Sequence, residues 1–295
     1  MRKLGIVLFV TALAGCRDKP KEQPLPAIAS AAQGTAPEPV AVAQLPVSHA
    51  VATVPASSGV FRVVGVAEND VLNVRQEPDP SSKKVFSYAP RQQNIAGTGQ
   101  RVEKAGTPWV EVKLATGTGW VNRFFLSETK PSGGCNDPEL TALIRAFMRA
   151  VVAADGAALK ALVSPLRGLS VRPESRVLTF PFGSVDTLFS SPVVLNLGPG
   201  DGGGPDMTGT FAERLAPSLR QAISGKGAIE ACGKLNTGSS TSLPPTLEQY
   251  AAVTPVSFFF PGQPDGHDWV TWVGSIEYVD GKPFFSALDR FHWEI

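Results

Sequence analysis

Apolar and polar positions are patterned most clearly at the C-terminal end of the chain. Residues 269–279 and 282–295 flank Asp280-Gly281, a pair that favours a two-residue type I′ turn. That turn predicts Val279 opposite Lys282, Ile276 opposite Phe285, Trp272 opposite Asp289 and Val270 opposite Phe291. Tyr278, Ile276, Phe285, Ala287, Trp272, Phe291 and Trp293 then share one core face. Helical spacing starts at Asp137, which suits an N-cap, with Pro138 in the first turn and Leu140, Leu143, Ile144, Phe147 and Val151 on one stripe. Asp155-Gly156 ends that helix, and a second short one is predicted over 157–163. Strand-like runs follow at 169–171, 177–180 and 193–197. Thr210-Phe211-Ala212-Glu213 reads as a capping box opening a helix toward Ile223, interrupted at Pro217.

Residues 61–129 have a different texture, with short β-rich runs broken by turn residues. Leu72 and Val74 alternate with Val71, Asn73 and Arg75, and the runs Trp109-Val110-Glu111-Val112 and Gly119-Trp120-Val121 follow. Short strands at this spacing predict a small barrel with Trp109 and Trp120 in its core. Upstream, residues 17–58 are rich in Ala, Pro, Val, Gln and Ser without period, which describes a spacer unable to bury a core. The fold class expected is therefore multidomain: a small all-β barrel over 59–130, then an α+β domain over 135–295 ending in a long β-hairpin. A cone like that of nuclear transport factor 2 is one arrangement of the second domain.

At the N-terminus Arg2 and Lys3 precede an apolar run from Leu4 to Ala14 that ends Leu13-Ala14-Gly15-Cys16. A charged start, a short apolar stretch and small residues at the cut describe a secretory signal over 1–15. The run is shorter than the roughly 20 residues a membrane span needs. Leu13 to Cys16 also resembles the lipobox of bacterial lipoproteins. That resemblance implies a lipid on the Cys16 thiol, a tether over 16–58, and a protein exported to the cell envelope and anchored on a membrane. Of the three cysteines, assigning Cys16 to lipid leaves Cys135 and Cys232, expected to form a disulfide in an oxidising compartment.

Asp70-Val71-Leu72-Asn73-Val74-Arg75, Pro78, Val85, Trp109-Val110-Glu111-Val112, Gly119-Trp120-Val121 and Leu126 together resemble the bacterial SH3 (SH3b) pattern. The pattern covers under a quarter of the chain. One departure is Pro90-Arg91-Gln92-Gln93-Asn94 before Ile95, where family members carry a Gly-led strand. The resemblance implies binding of peptidoglycan or of an envelope protein, with the barrel as a spacer or docking module the alternative. Arg75, on the strand face opposite Leu72 and Val74, is the candidate contact. The C-terminal region is similar to uncharacterised regions of other secreted SH3-domain proteins, which implies no activity.

Charge adds an exclusion. The 27 Lys and Arg, less Arg2 and Lys3, leave 25 against 26 Asp and Glu after signal removal. No basic run is interleaved with aromatics, so no nucleic-acid surface is expected.

For chemistry, strand parity puts Asp289 on the apolar face. It is either a carboxyl with raised pKa, the means by which proteins make acids and bases, or a carboxylate accepting from an indole N–H or backbone amide. His267, between Asp265 and Asp268, and His292, predicted across from Trp269, match no ligand spacing, and a solvated or stacked role is expected. The Gly-rich run 198–206 lacks the Lys-Ser/Thr ending of a P-loop and the closing Glu of an EF-hand, which leaves a mobile surface loop. No His-Glu-x-x-His or Gly-x-Ser-x-Gly motif is present. No cofactor or metal is expected. A noncatalytic tethered envelope protein is thus the first reading, and a wall hydrolase using Asp289 the second.

Overall fold

The computed structural model describes residues 59–129, 134–173, 176–200, 204–239, 245–263 and 267–293. The signal, Cys16 and the spacer lie outside these residues. The protein is mostly β and contains a curled antiparallel half-barrel sheet. Among the described residues no helix is long and apolar enough to cross a membrane.

The N-terminal part is a seven-stranded antiparallel sheet: β1 (Val60–Val63), β2 (Leu72–Arg75), β3 (Lys84–Tyr88), β4 (Ile95–Lys104), β5 (Thr107–Leu114), β6 (Gly117–Asn122) and β7 (Leu126–Thr129). Its spatial order is β3-β2-β6-β5-β4-β1-β7. Strand alternation sends Leu72, Val74, Val110, Val112 and Val121 inward, where they meet Phe61, Val63, Ile95 and Leu126 in one cluster. Gly119 permits this closeness, since a Cβ there would lie 2.6 Å from Val74 Cγ1. The same alternation corrects the expectation for the two tryptophans. Val110 and Val121 point inward, so their neighbours Trp109 and Trp120 point out. Trp109 is buried outside that cluster, and Trp120 is half-buried.

The chain continues through α1 (Pro138–Ala153), α2 (Gly156–Lys160), β8 (Leu169–Arg172), β9 (Leu178–Phe180), β10 (Leu195–Pro199), β11 (Asp206–Gly209), α3 (Phe211–Arg214), α4 (Ala216–Ser224), β12 (Ile229–Cys232), β13 (Thr254–Phe260), β14 (Val270–Val279) and β15 (Lys282–His292). Six of these strands form a second sheet in the order β12-β13-β14-β15-β8-β9, with β15 and β8 parallel. Strands β10 and β11 pair with each other on either side of the Gly-rich run, whose central residues 201–203 are outside the described set.

Asp137 caps α1 by accepting from Glu139 N at 3.0 Å, and Thr210 and Glu213 form the capping box of α3. Helix α3 ends at Arg214 and α4 begins at Ala216, with Pro217 in the first turn of α4, a place proline tolerates. The apolar stripe of α1 packs on the second sheet. Phe147 stacks 4.0 Å from Phe285 and 5.6 Å from Phe258, ring centre to ring centre. Cys135, just before α1, is bonded to Cys232 at the end of edge strand β12, with Cα atoms 5.5 Å apart.

Strands β14 and β15 pair across Asp280-Gly281, both with positive φ, as a type I′ turn requires. Ile276 faces Phe285 as the turn rule predicts. Beyond that point the register differs. Ser275 faces Ala287, so Ser286 is an extra residue in β15, a β-bulge, and its Oγ donates to Ser275 O at 3.2 Å. The offset puts Trp272 opposite Arg290, Val273 opposite Asp289, Thr271 opposite Phe291 and Val270 opposite His292. A one-residue slip moves every later side chain to the other face. Ala287, Asp289 and Phe291 therefore leave the face of Trp272 and Ile276, contrary to the parity expected from sequence.

The second sheet thus has two unlike faces. Leu169, Val171, Phe258, Trp272, Ile276, Phe285 and Leu288 join the helices in one core. Ser170, Arg172, Ser275, Ala287 and Asp289 sit on the other side, toward the curled sheet.

Both sheets belong to one compact unit, and their seam is polar. Ser127 Oγ accepts from Tyr278 N at 3.1 Å. Glu128 accepts from Gly281 N at 2.6 Å, Arg101 at 3.0 Å and Arg123 at 3.2 Å, while Arg101 also pairs with Asp280. The tip of the β14–β15 pair is therefore held by charge-assisted hydrogen bonds, the stronger kind.

Candidate functional site

A cleft of about 460 Å³ lies between the two sheets. Its walls come from β1 and the residues after it (Val63–Val66), from β8 and β9, from the bulged part of β15, and from a 3₁₀ turn at Leu247–Tyr250. That turn is fixed to the curled sheet by Arg91 Nη1 donating to Glu248 O at 3.1 Å and by Gln93 Nε2 donating to Ala251 O at 3.5 Å.

Asp289 is buried in this cleft at 8% exposure. Tyr250 Oη donates to its Oδ2 at 3.0 Å, and Arg172 Nε stands 3.8 Å from its Oδ1. The parallel pairing of β15 with β8 sets Asp289 directly beside Arg172. Burial pushes the Asp289 carboxyl above the ordinary range, and Arg172 and the Tyr250 hydrogen bond oppose the shift in part. Burial, with the negative carboxylate beside it, likewise raises the Tyr250 phenol. The indole partner expected from sequence is replaced by a phenol, because the bulge turns Asp289 away from Trp272.

A raised folded-state pKa gives a definite pH signature. The proton is held more tightly in the folded state, so Asp289 favours folding below its unfolded pKa, and that contribution is lost as pH rises through the raised folded value. The stability of the wild type relative to Asp289→Asn is therefore expected to fall as pH climbs from about 3 through the weakly acidic range. Paired urea titrations at each pH measure this. A difference that stays flat, or grows with pH, contradicts it.

The other arginines of the cleft are already engaged. Arg91 pairs with Glu68 at 2.6 Å, and Arg167 pairs with Glu277, whose side chain is 1% exposed.

A second concavity, about 410 Å³, lies on the outer face of the curled sheet. Val66, Asp70, Val71, Asn73, Arg75 and Trp109 are among its lining residues. Arg75 is half-buried, opposite Trp120, with Nη1 donating to Ser82 O at 2.9 Å. The Trp109 indole nitrogen is buried without a hydrogen-bond partner.

The remaining candidates are not brought together. His267 is exposed and packs its ring 4.7 Å from Trp293, while His292 lies opposite Val270 on β15 rather than opposite Trp269. Among the described residues no group of three or more His, Cys, Asp or Glu is placed to hold a metal. Two Ser-x-x-Lys spacings occur, at Ser81–Lys84 and Ser127–Lys130. Ser81 Oγ donates to Asp79 Oδ1 at 2.6 Å on an exposed turn, and Ser127 Oγ is used in the seam, so neither resembles an activated nucleophile. Sequence reasoning missed Tyr250 and Arg172. The alternation Leu169-Ser170-Val171-Arg172 carried a signal for Arg172 as the polar partner of a half-buried strand. No local signal linked it to Asp289.

No family model, curated protein or solved structure matches the chain.

Proposed function

We propose that this protein is a noncatalytic, membrane-tethered lipoprotein of the bacterial cell envelope. Its curled sheet, read as an SH3b-like barrel, binds peptides of the peptidoglycan wall. The α+β part is a second binding module. The observation that carries the reading is the outer groove with Trp109. An aliphatic side chain of a short peptide suits the apolar lining that Val66, Val71 and Trp109 give the groove. Arg75, beside it, suits the free carboxylate of a short wall peptide.

The chain outside the described residues supports the occupant. About 40 residues separate Cys16 from Gly59 in the sequence, so a lipid on Cys16 would leave a tether between the anchor and the groove.

Two tests address the two halves of the proposal. Labelled fatty acid is expected to enter the wild type in cells and not Cys16→Ser; equal labelling of both removes the anchor. The purified mature protein is expected to pellet with insoluble peptidoglycan at low salt. Arg75→Ala and Val71→Asp, both on the groove, should stay in the supernatant with unchanged circular dichroism. Pelleting that both variants retain, or none by the wild type, rejects the groove. Soluble fragments released from the wall support instead a hydrolase with Asp289 as its acid.

A further inference from the structure

We propose that the cleft between the two sheets is a binding site for a small organic carboxylate carrying a hydroxyl or amino group next to its carboxylate. Its carboxylate sits on Arg172 and its donor on Asp289.

The assignment comes from which groups of the cleft are still unsatisfied. Arg91 and Arg167 are committed to Glu68 and Glu277. Arg172 is half exposed, and among the described residues its one polar contact is Nε at 3.8 Å from Asp289 Oδ1, beyond hydrogen-bond length. Its two terminal nitrogens form an open fork, the geometry that holds a carboxylate by two parallel bonds. On the facing strand Asp289 has Oδ2 satisfied by Tyr250, while Oδ1 receives no hydrogen bond. That oxygen is not among the buried unpartnered atoms, so its unused lone pairs are open to the cleft and to a donor entering it. One donor fork and one acceptor, adjacent across the β8–β15 pair, match a ligand that presents an acceptor pair and a donor on neighbouring atoms. An α-hydroxy or α-amino acid has that arrangement, and a simple fatty acid or amine has half of it.

The surroundings fit the same class. The cleft volume falls in the range of small-molecule sites, about 300–1,000 Å³. Val64, Val66, Val177 and Val253 add apolar lining for a short aliphatic body, and Ser170 and Thr179 supply further hydroxyls. The site is rigid on its sheet side, since a bulge and a parallel pair fix Asp289 and Arg172. On the other side it is closed by the turn that carries Tyr250.

The test is isothermal titration calorimetry on the mature protein, with both enantiomers of lactate and alanine, with propionate, and with lactamide. Lactate or alanine is expected to bind at millimolar concentration, and which of the two binds decides between the hydroxy and amino forms. Propionate, which lacks the donor, should bind about tenfold more weakly, the size of one charge-assisted hydrogen bond. Lactamide, which lacks the charge, should not bind. Arg172→Gln, a change at a half-exposed position, is expected to abolish lactate or alanine binding while leaving circular dichroism unchanged. Asp289→Leu, which leaves no acceptor there, should erase the preference over propionate. Absence of saturable binding by lactate and alanine, or binding that Arg172→Gln leaves intact, overturns the proposal. Pelleting with peptidoglycan should not change in Arg172→Gln, so failure here and failure of the groove reading are separate results.

Discussion

Replacing both Cys135 and Cys232 with serine is expected to lower the free energy of unfolding by about 4–5 kcal/mol in the loop-entropy model. The bridge closes a sequence separation of 97 residues, which includes α1, the first strands of the second sheet and α4. In the unfolded chain a loop of that length has a great deal of freedom to lose, and the bond removes it beforehand. Position adds to this. Cys232 ends β12, an edge strand paired on one side to β13, so the bond fixes the border of the sheet against the start of the helix that covers it. The measurement is a urea titration of the double variant against the oxidised wild type. A midpoint unchanged at equal slope would falsify the stabilising role.

The second large effect is expected at Arg167. Its guanidinium pairs with Glu277, a carboxylate almost wholly enclosed in β14 and with Oε1 unpartnered. Arg167→Met removes the partner and leaves a buried charge, a change that costs about 3–5 kcal/mol in comparable pairs. The pair as a whole contributes far less, because both groups were taken out of water to form it. Arg167→Met combined with Glu277→Leu is therefore expected to recover most of the loss. A double-mutant cycle by chemical denaturation checks both statements. If the double variant is as unstable as Arg167→Met, the cost lies in packing and the ionic explanation is wrong.

How much was legible in the sequence depended on how local the signal was. Helix α1 was readable to its cap because Asp137, Pro138 and the stripe from Leu140 to Val151 act within a few turns. The Asp280-Gly281 turn was readable because positive φ at both central residues restricts what can stand there. The face of Asp289 was not. Ser286 carries no mark of a bulge, and one extra residue inverts all later parity, so the pattern gave a wrong answer from a sound rule. Strands β12 and β13 were also missed, since Thr254-Pro255-Val256 opens with a proline and 229–232 is a short edge segment. The partners of Asp289 lie 39 residues upstream at Tyr250 and on β8 at Arg172, joined to it by sheet order and a 3₁₀ turn that periodicity does not encode.

The bulge at Ser286 also bears on how this chain can change over generations. From Lys282 to Phe285 strand β15 is phased to Ile276 and the aromatic core, and from Ala287 onward it is phased to the cleft. One unpaired residue thus joins two reading frames of side chains within a single strand. Point substitutions at Asp289 alter the chemistry of the cleft and leave the frame intact. Loss of Ser286 alone would remove the bulge and still leave Ser275 opposite Ala287 and Val273 opposite Asp289, so both frames survive it, whereas one further inserted residue would carry Asp289 toward the layer of Trp272 and Phe258. Lineages descended from this sequence should therefore tolerate change or loss at position 286 and rarely carry a single-residue insertion beside it.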